Sequence, residues 1–428
     1  MLSKMFSKLA AAITTAALCA TGLMAQAPQK KVKDQAEYDL FEAARKETDW
    51  NKKLQFLNQW KEKYSDSDYK EDRQVMIVVA YQNLRQGEQM WGACKDLLAI
   101  NPKSVPGLFF LTSLTISLNN TSPDRLETGE KAAKGLLSNL DDIFKASTAA
   151  DDVKKKERLT YETLAIKTLG WIEMSRKNFD KAEEEFSNFL KLNPNSGQVS
   201  YWLGSVMLQQ KKAEKQIPAL YHLARAANYK GEDALPDAGK TQLQGFLERN
   251  YVAFHGDKSG LQELIDLALR NPFPPADLTI KSRAQILAEQ EEEFRQKEPQ
   301  KFLWVQIKKG LTDANGPAYW ESTLKGSAMP KLKGKVISVS PANRPKEITV
   351  AIMSNDTPEI KLRMDKAFVN KAEPGTELEF EAGVAAEFSG DPFLLTVDQD
   401  QEKLTGWPEA PKPVSKKGTT KKGAGKKK

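Results

Sequence analysis

The stretch from Leu169 to Pro194, LGWIEMSRKNFDKAEEEFSNFLKLNP, predicts two short amphipathic helices with a break between them. Apolar residues recur at the three- and four-residue spacing of a helix face on both sides of a polar interruption at 177–180. The second helix ends at Asn-Pro, and proline cannot continue a helix because it lacks an amide hydrogen. The stretch therefore predicts a helical hairpin, and a recurrence of the pattern would define a repeat.

The same outline recurs along the first two thirds of the chain. Asn-Pro closes a predicted helix three times, at Pro102, Pro194 and Pro272. These prolines are 92 and 78 residues apart, and neither distance is a multiple of 34, the length of one common helical repeat. We therefore expect insertions, and the loop-like segments 119–124 and 229–237 are the candidates.

Residues 37–277 are predicted to form an irregular stack of four to six helical hairpins, because one hairpin is too small to bury its own apolar face. With a unit starting at Thr163, four features resemble the tetratricopeptide repeat, a 34-residue helix–turn–helix unit. They are a Leu-Gly pair, a small residue opening the second helix, an aromatic residue within it and a final proline: Leu169-Gly170, Ala182, Phe186 and Pro194. Glu173 departs from the family pattern, which has tyrosine there. Further units are predicted from Glu71 and Gly197.

The resemblance implies a protein-interaction scaffold whose concave surface is lined by the first helix of each unit. The family's inward positions in the two clearest units fall on Lys167, Trp171, Gln198 and Tyr201. A lysine beside two aromatic side chains is suited to hold a carboxylate and an apolar group of a peptide or protein partner. The alternative is that Trp171 and Tyr201 pack between neighbouring helices.

From Met329 the apolar period changes from that of a helix to the alternation of strands. Five strands are predicted, in KGKVISVSP, EITVAIMS, EIKLRMD, TELEFEAGV and PFLLTVDQ, with a short helix in KAFVNKAEPG (366–375) between the third and fourth. This order resembles an OB-fold, a small Greek-key barrel, and another small barrel or sandwich is the alternative. The predicted fold class is α+β and multidomain: an all-α solenoid of tetratricopeptide-like hairpins followed by a five-stranded β-barrel.

The predicted domain order has six segments. They are a signal peptide at 1–27, a linker at 28–36, the hairpin stack at 37–277, linker helices at 278–327, the OB-like domain at 328–408 and a disordered lysine-rich tail at 409–428. The signal peptide is expected because two lysines precede an uncharged, alanine-rich run that ends in Ala-Gln-Ala; an uncleaved anchor is the alternative. The overall resemblance is to exported tetratricopeptide-repeat proteins of bacteria, so we expect a periplasmic or envelope-associated protein.

The net charge of +7 arises in the tail, because the segment 412–428 has eight lysines and no acid, and the rest is close to neutral or mildly acidic. The tail lacks apolar periodicity and cannot fold alone. Electrostatic contact with an anionic envelope surface is one interpretation, and a solubilising end is the other. The lysines proposed for that contact are Lys416, Lys417, Lys421, Lys422, Lys426, Lys427 and Lys428.

The sequence shows no recognisable catalytic constellation, neither a glycine-rich phosphate loop nor a nucleophile elbow. The chain has two histidines, and Cys94 is the one cysteine outside the predicted leader. These counts disfavour a zinc site and exclude an internal disulfide bond of the mature chain, and Cys94 is expected to be buried. We expect no enzyme activity, no metal and no cofactor.

Two rival functions remain open. The first is a polyanion or nucleic-acid binder that uses the barrel and the tail. It is disfavoured because the expected outward positions of strands two and three carry no aromatic residue for base stacking: Thr349, Ala351, Lys361 and Arg363. The second is a hydrolase whose acidic residues converge only in the folded chain.

Overall fold

The computed structural model describes residues 30–231 and 233–409. The predicted signal peptide and the lysine-rich tail therefore lie outside the described residues. The chain divides into two compact units, Met1–Arg283 and Ala284–Lys428. No helix in the described part of the chain is both long enough and apolar enough to span a lipid bilayer.

The first unit is built of α-helices that pair into hairpins. Its helices are α1 (Gln35–Lys46), α2 (Trp50–Lys63), α3 (Lys70–Asn83), α4 (Gly87–Ile100), α5 (Val105–Ser117), α6 (Pro123–Ser138), α7 (Leu140–Ala146), α8 (Asp151–Ser175), α9 (Phe179–Leu192), α10 (Gly197–Gln209), α11 (Gln216–Asn228), α12 (Asp237–His255) and α13 (Leu261–Arg270). Hairpins α1–α2, α3–α4, α5–α6, α8–α9 and α10–α11 stack in chain order, and α12 and α13 both pack on α11. The helical repeat expected from the sequence is confirmed.

The repeat is visible in the backbone turn that ends the first helix of four hairpins. Arg85, Asn119, Lys177 and Lys211 each have a positive φ, between 50° and 63°. The first two lie 34 residues apart, and so do the last two. In each turn this residue's amide donates a hydrogen bond to the carbonyl three residues earlier, as in helix ends closed by a left-handed residue. The four units therefore share one turn geometry at one spacing, without the glycine that usually marks it.

Replacing Lys177 or Lys211 with glycine is expected to raise the free energy of unfolding by about 1 kcal/mol, because glycine reaches a positive φ without the clash of a Cβ atom. The matched control is Lys155→Gly at an exposed position in the second turn of α8, which is expected to lower it by about 1 kcal/mol. Chemical denaturation measures both changes. Equal losses in all three variants would contradict the proposed role of the left-handed turn.

The insertion between the two pairs of units lies elsewhere than the sequence suggests. Segment 119–124, expected to be an insertion, is the ordinary turn of hairpin α5–α6. The extra residues are 139–162, which form α7 and the first turns of the 25-residue α8. The hairpin α5–α6 was missed because α5 is buried on nearly every side and so has no amphipathic pattern.

The small residues of the quoted stretch have the packing role that the repeat pattern predicts. A Cβ atom on Gly170 would lie 2.6 Å from the ring of Phe186, so only glycine lets α8 and α9 approach this closely. Ala182 and Phe186 are completely buried. The hairpin is therefore held by the close crossing of its two helices.

The second unit contains helices and one mixed β-sheet. Its elements are α14 (Arg283–Lys297), α15 (Pro299–Thr312), α16 (Gly316–Tyr319), β1 (Leu332–Ser340), β2 (Glu347–Ala351), β3 (Ile360–Met364), β4 (Glu377–Phe380), β5 (Val384–Gly390), β6 (Phe393–Gln399) and β7 (Leu404–Thr405). The strand order is β5-β6-β3-β2-β1-β4-β7, with β3 and β6 parallel and the other pairs antiparallel. The sheet thus has seven strands in an open order, and the predicted closed five-stranded barrel is not found.

The difference in strand number arises where the fourth strand was predicted. That segment, TELEFEAGV, is interrupted at Ala382, which has a φ of 54°. The chain forms β4 before this point, paired with β1, and β5 after it, paired with β6. Strand β5 was missed because its sequence, VAAEFSG, does not alternate between apolar and polar residues, and a bulge at 385–387 shifts its register.

The helix predicted at 366–375 does not form. Its backbone bonds to the segment before β2 instead: the Phe368 amide donates a hydrogen bond of 2.9 Å to the carbonyl of Pro345. Phe368 itself is buried, and its ring stacks on Trp407 with 4.0 Å between centroids. A ten-residue segment gains little from helix formation alone, so these tertiary contacts decide its conformation.

Helix α15, predicted to be part of a linker, belongs to the core of the second unit. Trp304 on α15 is completely buried and packs with the sheet residues. Its indole Nε1 donates a hydrogen bond of 3.1 Å to Glu359, and Lys308 Nζ lies 2.8 Å from the same carboxylate oxygen. The amides of Ile352 and Met353 donate to the other oxygen at 2.7 Å. The buried Glu359 carboxylate therefore fastens α15 to the sheet.

Candidate functional site

The positions that the repeat resemblance assigns to the inner face of the four in-phase units differ in how far they reach solvent. Equivalent positions on α3, α5, α8 and α10 carry Val75, Phe109, Lys167 and Tyr201. Phe109 is only 8% exposed because Tyr161, from the insertion, lies 5.1 Å away between ring centroids. Tyr201 is 37% exposed. The aromatic ring at this position is thus covered on α5 and accessible on α10.

Trp171, one of the four predicted partner-binding residues, packs between helices. It is 5% exposed and forms a small core with Leu126 and Ile172, against which Trp202 packs. Its ring is therefore not available to a partner. Packing between neighbouring helices was the alternative left open for Trp171. It occurs because α6, α8 and α10 converge around the indole ring.

Lys167, the second predicted residue, is half-buried and has an intramolecular contact. Its Nζ lies 5.9 Å from the centroid of the Phe189 ring on α9, within the range of a cation–π interaction. The ammonium group of Lys167 therefore contacts an aromatic ring of its own hairpin. The predicted pairing of Lys167 with Trp171 as a partner-binding site is not formed.

Tyr201 and Gln198 lie on the first turns of α10. The Tyr201 hydroxyl makes no hydrogen bond with another described residue, and its ring is partly in solvent. Gln198 is half-buried, and its backbone amide donates to the carbonyl of Asp233 at 3.2 Å. One turn after Tyr201, the Ser205 hydroxyl donates to the Tyr201 carbonyl at 2.7 Å. Tyr201 therefore offers both an apolar ring and a free hydroxyl.

The start of α10 is held rigidly. The Ser196 hydroxyl oxygen accepts from the Val199 amide at 3.0 Å, which is the standard N-terminal cap of a helix. The same hydroxyl donates to the Asp233 carboxylate, and the Gly197 amide donates to the Asp233 carbonyl at 2.9 Å. Asp233 was not singled out from the sequence, because nothing local indicates that loop 229–237 returns to α10. These bonds preorganise the surface that carries Tyr201.

Hydrogen bonds lower the pKa values of two buried acids among the described residues, Glu37 and Glu359. Burial alone would raise the pKa of Glu37, but hydrogen bonds from Ser67, the Lys33 amide and Trp60 together lower it. For Glu359, burial is likewise outweighed by hydrogen bonds from Lys308, two backbone amides and Trp304, so its pKa is lowered. Such saturated carboxylates hold the structure together and are poorly suited to donate protons.

Three further observations bear on chemistry. Burial raises the pKa of the Cys94 thiol to about 12, so this buried cysteine stays protonated, as expected of a core residue. Burial also raises the pKa of Glu185, with Glu184 and Glu173 adding to the effect. Among residues 30–231 and 233–409, no group of three His, Cys, Asp or Glu side chains is placed to hold a metal ion.

The second unit presents a different surface from the one expected. Ala351, expected to point outward on β2, is 1% exposed. Arg363 on β3 is already paired, with Asp398 through a two-pronged contact and with Glu387 at 2.9 Å. A basic groove for a polyanion is therefore not formed by these positions.

Comparisons with known proteins give structural likeness only. No family model matches the sequence, and no curated protein matches it. Solved structures that resemble it include a thermophilic TPR protein of Thermus thermophilus, with 15% identity over 51% of this chain and 96% of that one, and a TM-score of 0.26. Pseudomonas aeruginosa pilF has 15% identity over 62% and 90%, with a TM-score of 0.31. A tetratricopeptide repeat protein from Parabacteroides merdae has 14% identity over 55% and 100%, with a TM-score of 0.29.

These superpositions are weak. The helical repeat of this chain is established by its own geometry, namely the 34-residue spacing of the left-handed turns and the close crossing at Gly170.

Proposed function

We propose that the chain is a non-enzymatic scaffold that binds a peptide or protein partner on the inner surface of α10. The observation that carries the proposal is Tyr201, which is 37% exposed and has a hydroxyl without a hydrogen-bond partner among the described residues. Tyrosine is enriched at the centre of protein interfaces, because a rigid ring provides contact area and its hydroxyl provides a specific bond. The Ser196 cap fixes the backbone of the helix start that carries Tyr201, so less backbone entropy is lost on binding.

The neighbouring inner positions support the placement at α10. Phe109 is covered by Tyr161, Trp171 is buried, and Lys167 is engaged by Phe189. Around Tyr201 the half-buried Gln198 and Ser205 add polar groups to one apolar ring. This combination suits an extended peptide that offers one apolar side chain flanked by backbone hydrogen-bonding groups.

Tyr201→Ala is expected to abolish capture of the partner, because it removes the one exposed aromatic ring of this surface. Full-length protein serves as bait in an extract of the source cells, and captured proteins are identified by mass spectrometry. The control is Tyr38→Ala on α1, which removes a similarly exposed tyrosine (45%) from the first hairpin. We expect the partner to be retained by the wild type and by Tyr38→Ala, with a loss of at least about tenfold in Tyr201→Ala.

Equal capture by Tyr201→Ala and the wild type would reject the α10 surface. Trp171→Ala is unsuitable for this test, because the loss of a buried tryptophan is expected to cost about 3–5 kcal/mol of stability. Any loss of binding in that variant would then report unfolding rather than a missing contact.

We also propose that the scaffold works in a bacterial envelope. The support is the leader pattern at 1–27, with two lysines before an uncharged run. N-terminal sequencing of the protein from fractionated cells tests this. An intact Met1 in a cytoplasmic fraction would exclude export.

The rival function, polyanion binding through the second unit, is less well supported. Its expected basic position Arg363 is neutralised by Asp398 and Glu387, and its strands β2 and β3 carry no aromatic residue. The rival predicts capture of nucleic acid that fades steeply with salt and is unaffected by Tyr201→Ala.

A further inference from the structure

An open cleft of about 670 Å³ lies at one end of the sheet, where β1, β3 and β6 end and β2 and β5 begin. Its lining contains more acidic than basic side chains. The carboxylates are Glu347, Asp365, Asp398 and Asp400, and the cations are Lys346 and Arg363. The feature is independent of the α10 surface, and nothing in the proposed function uses it.

The positive charge of Arg363 is fully occupied. Its Nε and Nη2 atoms donate to the two oxygens of Asp398 at 2.5 and 3.0 Å. Its Nη1 atom donates to Glu387 at 2.9 Å. One cation thus faces two carboxylates, so this corner of the cleft carries net negative charge.

Two of the other three acids of the cleft lack a close cation. Glu347 and Asp400 form no ion pair with another described residue, and Asp365 lies 3.8 Å from its nearest cation, Lys366. Asp365 accepts a hydrogen bond from the Gln401 amide at 2.9 Å, which fixes its position. Glu347 and Asp400 are therefore without an ion pair among the described residues, and Asp365 is fixed by a hydrogen bond beside one distant cation.

The cleft wall also contains an unpaired buried acceptor. Gln399 is 2% exposed, and its side-chain nitrogen donates to the carbonyls of Glu381 and Asp400 at 3.1 and 3.2 Å. Its Oε1 atom has no hydrogen-bond partner. Buried acceptors without a donor are uncommon in folded proteins, and this one belongs to a residue that lines the cleft.

The described chain ends on the loop that follows one acid of this cleft, Asp365. Trp407 stacks on Phe368, and the Asn370 side chain donates to the carbonyl of Pro408 at 2.6 Å. The last described residues are thus anchored on the loop that follows Asp365. Beyond Glu409 the sequence continues for 19 residues with eight lysines and no acid after Lys412.

The length of the tail permits it to return to the cleft. An extended chain advances about 3.3 Å per residue, so the first lysines can reach about 10–30 Å from the anchored end. We propose that lysines of the segment 412–428 bind in this cleft, with their ammonium groups paired to Glu347, Asp365 and Asp400. The tail is then held by its own domain, and an anionic envelope surface has to compete for it.

Zero-length carbodiimide cross-linking of the full-length protein tests the docking, because it joins a lysine to a carboxylate only when the two are in contact. We expect peptides in which tail lysines are linked to Glu347, Asp365 or Asp400. In the double variant Glu347→Gln/Asp400→Asn, the yield of tail links to this unit is expected to fall about threefold, and high salt should have the same effect. The control Asp151→Asn/Asp152→Asn removes two exposed acids from α8 and should leave the yield unchanged.

A mixture of isotopically labelled and unlabelled protein separates binding within one chain from binding between copies. Links within single chains support the proposal. Links found only between labelled and unlabelled copies would overturn it, and so would tail lysines linked to acids of both units without preference or not linked at all.

Discussion

Arg225→Met is expected to lower the free energy of unfolding of the helical unit by about 3 kcal/mol or more, because it removes a guanidinium group that serves several buried carbonyls at once. Nη1 of Arg225 donates to the carbonyls of Ala268 and Asn271 at 2.7 and 3.2 Å. Nη2 donates to the carbonyl of Pro194 at 2.8 Å. One side chain on α11 thus joins the two Asn-Pro turns that end α9 and α13.

The physical basis is the unsatisfied end of a helix. The last carbonyls of a helix have no partner within it, and a buried helix end requires donors from elsewhere. The side chain of Arg225 is 3% exposed, and methionine fills similar volume without supplying donors. Arg73 does the same for α2, since its Nη1 donates to the carbonyls of Trp60 and Tyr64.

Arg249→Met is the matched control, because it makes the same chemical change at an exposed position of α12. It is expected to change the free energy of unfolding by less than about 0.5 kcal/mol. Urea denaturation followed by circular dichroism measures both variants. If Arg225→Met is as stable as Arg249→Met, the buried guanidinium does not hold the two turns together.

Acidification is expected to destabilise the same region through His222. Its ring is 1% exposed, lies against Tyr221 and Phe273, and has an Nδ1 atom without a hydrogen-bond partner. Burial, with a smaller contribution from the positive charge of the nearby Arg225, lowers the pKa of His222 to about 3. The folded protein therefore keeps this ring neutral well below the pH at which an exposed histidine takes up a proton.

The sign of the pH effect follows from the lowered pKa. The neutral ring contributes its full stability above the unfolded-state pKa of about 6.5, and this contribution is lost as the pH falls from 6.5 towards 3. Between pH 7 and pH 4.5 we expect the loss to be about 2–3 kcal/mol. Denaturation curves at the two pH values measure it.

His222→Leu is expected to flatten this pH dependence, since leucine cannot take up a proton. The control His255→Gln removes the only other histidine of the chain, whose Nδ1 lies 2.7 Å from the carbonyl of Lys281. Because this variant retains His222, it should lose as much stability on acidification as the wild type. An identical pH dependence in His222→Leu and the wild type would show that the buried acids Glu37 and Glu359, and not the histidine, govern acid sensitivity.

The sequence predicts the helical repeat well where packing demands a particular residue size. Gly170, Ala182 and Phe186 can be recognised because a close helix crossing admits only small residues with one large neighbour. The hairpin of α5 and α6 could not be recognised in the same way, because burial on all sides removes the polar face that marks a helix. The left-handed turns could not be predicted, because the residue with positive φ is usually glycine and here it is not. The four residues are Arg85, Asn119, Lys177 and Lys211.

The candidate sites depend on contacts between distant segments, which the sequence does not encode locally. The repeat pattern predicted both Trp171 and Tyr201 as partner-binding residues. Trp171 is buried because α6, α8 and α10 converge around it, whereas Tyr201 remains exposed, and this convergence cannot be read from the sequence. The acidic cleft joins the ends of five strands, so its members are far apart in the chain. The sequence indicates the cleft only weakly, because the pattern is just an acidic residue next to a strand end, as at Glu347 and Asp400.

Photo-cross-linking from position 201 tests the central claim most directly, namely that a protein partner binds at the exposed inner surface of α10. A photoreactive phenylalanine analogue replaces Tyr201 in the full-length protein, and the same analogue at Tyr38 serves as the control. One dominant cross-linked protein is expected from position 201, and it should be absent from position 38. Cross-links from neither position, or the same proteins from both, would contradict it.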